Sequence, residues 1–194
     1  LHHVHVPVGQ ADLPPVLFIH GASGNLLDQM VPIRPLLEGR AEMLFVDRPG
    51  HGWSERGAAD NATPFGQAAA IASLMDRHGM QNAIVVGHSF GGSICVEYAN
   101  RYPERLEKLI LIATTAEYPL PRIVNWIVRL PTAFFRLWWK YRPRWNAEIH
   151  VMKRMLTNNM RRWKGWDYLR NITTPTLVIT GERDNYFPRR LFEE

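Results

Sequence analysis

Five short apolar runs rich in Val, Ile, Leu and Phe punctuate the chain: VLFI at 16–19, MLFV at 43–46, AIVV at 83–86, LILI at 109–112 and TLVI at 176–179. None alternates with polar positions, so each predicts a strand buried on both faces, as in a parallel sheet. Between the first four, the apolar spacing lengthens: NLLDQMVPIRPLL (25–37), TPFGQAAAIASLMDRHG (63–79) and GGSICVEYANRY (91–102) predict helices. The second has Thr63 as N-cap, Pro64 at the first helical position and Gly79 as the stop. Strand alternating with helix predicts crossover units and an open, mostly parallel α/β sheet flanked by helices. The opening HHVHVPV is expected as an antiparallel edge strand, and no internal repeat interrupts the order.

Composition narrows the class. With 194 residues, 46% hydrophobic and 21% charged, the chain has enough apolar surface for a single globular core. The stretch LHHVHVPVGQ lacks the charged start, apolar centre and cleavage site of a signal peptide, and no long uncharged apolar run follows, so a cytoplasmic location is expected. A lone cysteine, Cys95, excludes an intramolecular disulfide and a cysteine-based metal site, and its apolar helical setting predicts a buried filler. No cofactor or metal is expected. The net charge of +5 is uneven: residues 117–170 hold twelve Lys/Arg against Glu117, Glu148 and Asp167, together with six of the seven tryptophans. That window is expected to be an insertion, dividing the chain into 1–116, 117–170 and 171–194.

Candidate chemistry sits in IVVGHSFGGS, residues 84–93, where a strand ends and a helix begins with almost no linker. A serine at such a turn is held in an unfavourable backbone conformation that tiny neighbours two residues away permit, here Gly87 and Gly91, and its hydroxyl is lifted above the sheet. Gly87-His88-Ser89-Phe90-Gly91 therefore predicts a nucleophile elbow centred on Ser89. The competing reading is a phosphate-cradling turn or tight packing.

With that element the chain resembles the α/β-hydrolases over nearly its whole length apart from the basic window. The first long strand ends in HGASGN, His20 to Asn25, similar to the family's oxyanion loop. The next ends in DRPGHGWSER, Asp47 to Arg56, similar to its D-x-x-G-x-G-x-S turn. The resemblance implies a serine esterase or lipase-like enzyme with Ser89 as nucleophile and the backbone N–H groups of Ala22 and Phe90 as oxyanion donors. It implies supporting roles for His20, Gly21, Gly87, His88 and Gly91, with His20 a packed loop anchor and His88 turned from the hydroxyl. His51 and Ser54 are expected as turn residues lining the pocket entrance. In TLVITGERD, the G-x-x-D spacing places Asp184 as the acid that orients a histidine, with Glu117 as the substitute.

The base is missing from the order the resemblance requires. The eight histidines are at 2, 3, 5, 20, 51, 78, 88 and 150, and none follows Asp184. The family's base lies after one further strand, ahead of a last helix. Either the sequence stops short of that strand, helix and histidine, or the protein is a catalytically dead hydrolase-like binding module. His150 in the insertion is a remote alternative base. A serine at the elbow, where some relatives carry aspartate, implies acyl chemistry on carboxylic esters, with C–C hydrolase, perhydrolase, thioesterase and peptidase chemistry as alternatives.

The resemblance also casts 117–170 as a helical cap over the serine. In PLPRIVNWIVRLPTAFFRLWWKY (119–141), Arg122, Arg129 and Arg136 recur every seven residues among Trp126, Ile127, Phe134, Phe135, Trp138 and Trp139, and Pro131 breaks the helix. The expected partner is a small ester with an apolar acyl group, held by these aromatics. The competing expectation is peripheral contact with an anionic membrane through the cap. No nucleic-acid reader motif accompanies the charges, so nucleic acid is not an expected partner.

Overall fold

The computed structural model describes residues 1–114, 126, 127, 129–131, 133, 134, 153, 163 and 165–184. In chain order these form β1 (His3–Val6), β2 (Val16–Ile19), α1 (Leu27–Leu37), β3 (Met43–Val46), α2 (Pro64–Arg77), β4 (Ala83–His88), α3 (Gly91–Arg101), β5 (Leu106–Ile112), α4 (Gly165–Arg170) and β6 (Thr176–Ile179). The basic segment 117–170 lies mostly outside the described residues, and the expected helical cap with it.

The strands form one sheet in the order β1-β3-β2-β4-β5-β6. The edge strand β1 runs antiparallel to β3, with His3 opposite Val46, and every other pairing is parallel. From β2 the chain steps one way to β3 and then returns past β2 to β4 on the other side. The strand order thus reverses between β2 and β4, and in open α/β sheets ligands bind outside the C-terminal ends of the strands at such a reversal.

Alternate strand residues feed two cores. Leu17, Ile19, Leu44, Val46 and Val85 pack with Ile71 and Met75 of α2 and Ile94 and Tyr98 of α3. Val16, Phe18, Met43, Phe45 and Val86 face the other side, against Met30, Ile33 and Leu37 of α1. Such cover on both faces is what unalternating apolar runs require. The α2 entry also follows its sequence signals: Thr63 Oγ1 accepts from Gly66 N at 2.8 Å, and Gly79 adopts φ +63° past the end.

β6 departs from expectation. Its residues predict a doubly buried strand, yet all four are exposed, with Leu177 at 53% and Ile179 at 44%. It pairs with β5 along one edge, and α4 packs instead onto α3, where Asn100 Nδ2 donates to Tyr168 O at 2.9 Å. No described helix covers β6.

Candidate active site

Ser89 follows β4 directly and has φ +52°, a left-handed conformation that costs a non-glycine residue roughly 1–2 kcal/mol. Its N–H donates to Ile112 O of β5 at 2.8 Å, and its carbonyl accepts from Gly92 N at 3.0 Å, so both flanking peptides are fixed. The neighbouring glycines are sites of contact. A Cβ at Gly91 would be driven into the carbonyl oxygens of Ile19 and His20; one at Gly87 would meet Cys95 Sγ and lie 2.9 Å from Gly92 Cα. A Cβ at Gly92 would strike the side chain of Thr114, a contact the sequence pattern did not single out. Ser89 and His88 are half-buried, and Phe90 is buried as it opens α3. Cys95 is buried, and burial pushes its thiol pKa up, so it is inert packing.

The loop after β2 lies against this turn. A Cβ at Gly21 would sit 3.2 Å from Ser89 Cβ and 3.3 Å from His88 Nδ1, so Gly21 is the point of closest approach. His20 is fully buried behind it. Its Nε2 accepts from Arg48 N at 3.1 Å, which leaves Nδ1 to carry the proton and donate to Gly21 O at 2.9 Å. Burial first, then the Arg48 charge, holds its pKa well below the usual histidine range. His51 is likewise 1% exposed, with Nε2 2.8 Å from Ala22 O and Nδ1 3.0 Å from Pro49 O. Burial, then Arg48, lowers its pKa to about 3 against the pull of those carbonyls. Two neutral rings already engaged at both nitrogens are loop anchors, not bases.

His51 and Ser54 are turn residues, as the sequence led one to expect, and both are buried. Buried Asp47 ties the turn to its surroundings: Oδ2 accepts from Trp53 N of the turn at 3.0 Å, Oδ1 from Leu26 N of the loop before α1 at 2.8 Å, and His2 Nδ1 lies 2.7 Å from Oδ2. Ser54 Oγ closes the turn by donating to Asp47 O at 2.6 Å. Gly52, at φ +52°, has no room for a Cβ beside that carboxylate.

Asp184 ends the turn after β6, where its N–H donates to Gly181 O at 3.1 Å. Because β4, β5 and β6 are parallel, the turns that carry Ser89 and Asp184 leave the same C-terminal edge of the sheet, two strands apart. Glu117 and His150 lie outside the described residues. Sequence reasoning missed Arg48, whose guanidinium is fully buried among these loops; its position inside the DRPG turn was the available signal.

Residues 14–144 match a family model described as the alpha/beta hydrolase fold. The chain belongs to the α/β-hydrolase family. This α/β-hydrolase is 27% identical over 205 residues to a poly(3-hydroxyalkanoate) depolymerase of Ectopseudomonas oleovorans, covering 93% of the chain and 71% of that relative. It is 30% identical over 115 residues to a 2-hydroxy-6-oxo-6-phenylhexa-2,4-dienoate hydrolase of Comamonas testosteroni, a match covering 58% of the chain. The aligned part is only 39% of that relative's length. An esterase from Exiguobacterium antarcticum shares the fold at TM-score 0.80 and 20% identity, covering 99% of the chain and 81% of the esterase. Among the described residues, no helix is long and apolar enough to cross a membrane.

Proposed function

We propose that this protein is a serine hydrolase of carboxylic esters with apolar acyl groups, working through an acyl-enzyme. The observation that carries the reading is Ser89 at φ +52° just past the C-terminal end of β4, with the Gly21 loop packed onto its Cβ. The Ser89 hydroxyl attacks the ester carbonyl and passes its proton to a base; the carbonyl oxygen becomes an oxyanion between the Ala22 and Phe90 amides. The alcohol leaves with that proton, and water repeats the sequence on the acyl-enzyme to release the acid. Asp184 orients the base and stabilises its cation. In this reading the base is a histidine that follows Asp184 in a longer form of the protein, since His20 and His51 are committed to the loops. Similarity to a poly(3-hydroxyalkanoate) depolymerase supports ester chemistry.

Similarity to the Comamonas hydrolase favours a second reading, hydrolysis of a C–C bond next to a ketone from the same serine. A fluorophosphonate probe and a p-nitrophenyl butanoate assay are applied to the 194-residue chain and to a version extended through the downstream coding sequence. The extended version is expected to label at Ser89 and turn over ester, whereas the shorter chain is slower by several orders of magnitude. Ser89→Ala abolishes both signals, and Asp184→Asn cuts turnover by roughly ten-thousandfold. Equal activity of the two lengths, or binding of apolar esters without any labelling, rejects the proposal; the latter result identifies a binding module.

A further inference from the structure

The guanidinium of Arg48 is buried among the loops that surround Ser89. Its NH2 donates to Gly21 O at 2.6 Å and lies 3.0 Å from His51 Nε2, and its NH1 donates to Gln67 Oε1 at 2.9 Å. Gln67, fully buried on α2, is fixed in turn, since its Nε2 donates to Asn61 O at 2.9 Å. Arg48 Cζ also stands 5.5 Å from the centroid of the Phe90 ring. One side chain thus touches both loops that bear the proposed oxyanion donors.

We propose that Arg48 is a positioning residue for the oxyanion site: by gripping the Gly21 carbonyl it sets the plane of the Gly21–Ala22 peptide and so aims the Ala22 N–H. The catalytic consequence rests on the hydrolase reading above, whereas the structural content does not. No described peptide bond is cis, and in a trans peptide the C=O and the following N–H point in opposite directions. Holding the Gly21 oxygen on the Arg48 side therefore directs the Ala22 N–H to the other side of that peptide plane. Gly21 cannot hold this plane by itself, because a residue without Cβ rotates freely. His20 Nδ1 gives the same oxygen a second, neutral bond. The Arg48 bond is charge-assisted and roughly twice as strong, which makes it the dominant restraint. Lysine does not replace it, since a single ammonium on a flexible stem lacks the fork that spans Gln67 and Gly21.

The test uses Arg48→Lys and Arg48→Met with two readouts. In the 194-residue chain, the amide cross-peak of Ala22 in a 1H–15N spectrum is expected to move or split in both variants, while Val85 and Leu109 in the sheet stay in place. In the version extended through the downstream coding sequence, kcat for p-nitrophenyl butanoate is expected to fall by about ten- to a hundredfold in Arg48→Met, with KM unchanged. An unmoved Ala22 peak with kcat within about twofold of wild type overturns the proposal, as does a loss expressed wholly in KM. If Arg48→Met fails to fold, Arg48→Lys, which keeps the charge and most of the volume, decides it. Should the wild-type extended protein hydrolyse nothing, the hydrolase reading fails, and the Ala22 spectrum still judges the positioning role.

Discussion

Acidification from pH 7 to pH 5 will weaken this fold through His51. The imidazole is 1% exposed beside the Arg48 guanidinium, and its pKa is lowered to about 3; in an unfolded chain it is about 6.5. Above pH 6.5 the ring is neutral in both states and the titration contributes nothing. Between about 6.5 and 3 the unfolded chain takes up a proton that the folded chain refuses, so stability falls by about 1.4 kcal/mol per pH unit as pH drops. Below about 3 both states are protonated and the loss levels off. At pH 5 the loss is about 2 kcal/mol, against a whole-domain stability of roughly 5–15 kcal/mol. His20, whose pKa is also held well down, acts in the same direction. Urea unfolding at pH 7, 6 and 5 measures this in wild type and in His51→Gln, which packs a polar side chain of similar length but does not titrate. Carboxylates common to both proteins cancel in the comparison, leaving a difference in slope of nearly one proton. Parallel stability profiles, with unchanged m-values, would refute the argument that His51 is folded in its neutral form.

Two further outcomes follow from the described residues. Ser89→Gly relieves the left-handed backbone at φ +52° and Ser89→Ala does not, so the glycine variant should be more stable by about 0.5–1 kcal/mol after its larger unfolded-state entropy is counted. Equal urea midpoints for the two would mean that the turn stores no strain. In the basic segment 117–170, Trp126 and Phe134 are each 64% exposed and Arg129, between them in the sequence, is exposed too; the membrane reading takes these residues as its contact with anionic lipid. Flotation with phosphatidylglycerol-containing vesicles at low salt should carry the protein, and Trp126→Ala/Phe134→Ala should lower partitioning on the order of tenfold; equal recovery with zwitterionic vesicles would end that idea.

Local pattern was sufficient where the cause is local. The runs at 16–19 and 43–46 reappear as β2 and β3 with the same bounds, and Thr63 caps α2, because runs of apolar residues and a capping hydroxyl act within a few residues. The turn at Ser89 was legible for the same reason: Gly87 and Gly91 stand where any Cβ would collide. The run at 176–179 likewise forms β6 with the same bounds, but its exposure is set by what packs on it, and among the described residues it is paired with β5 alone.

From its sequence alone, this chain has its α/β class, its parallel strands and a serine between small residues at a strand-to-helix junction, all set by side-chain volume, backbone sterics and apolar periodicity. Tertiary structure decided what stands around that serine. The excursion to β3 and return to β4 set the Gly21 loop beside it, and the parallel pairing of β5 with β4 and β6 put the Asp184 turn two strands away. The same packing buried Arg48 between Gly21, 27 residues earlier, and Gln67, 19 residues later. No periodicity encodes such a contact, because it is made by segments distant in the chain that meet only when the sheet has closed.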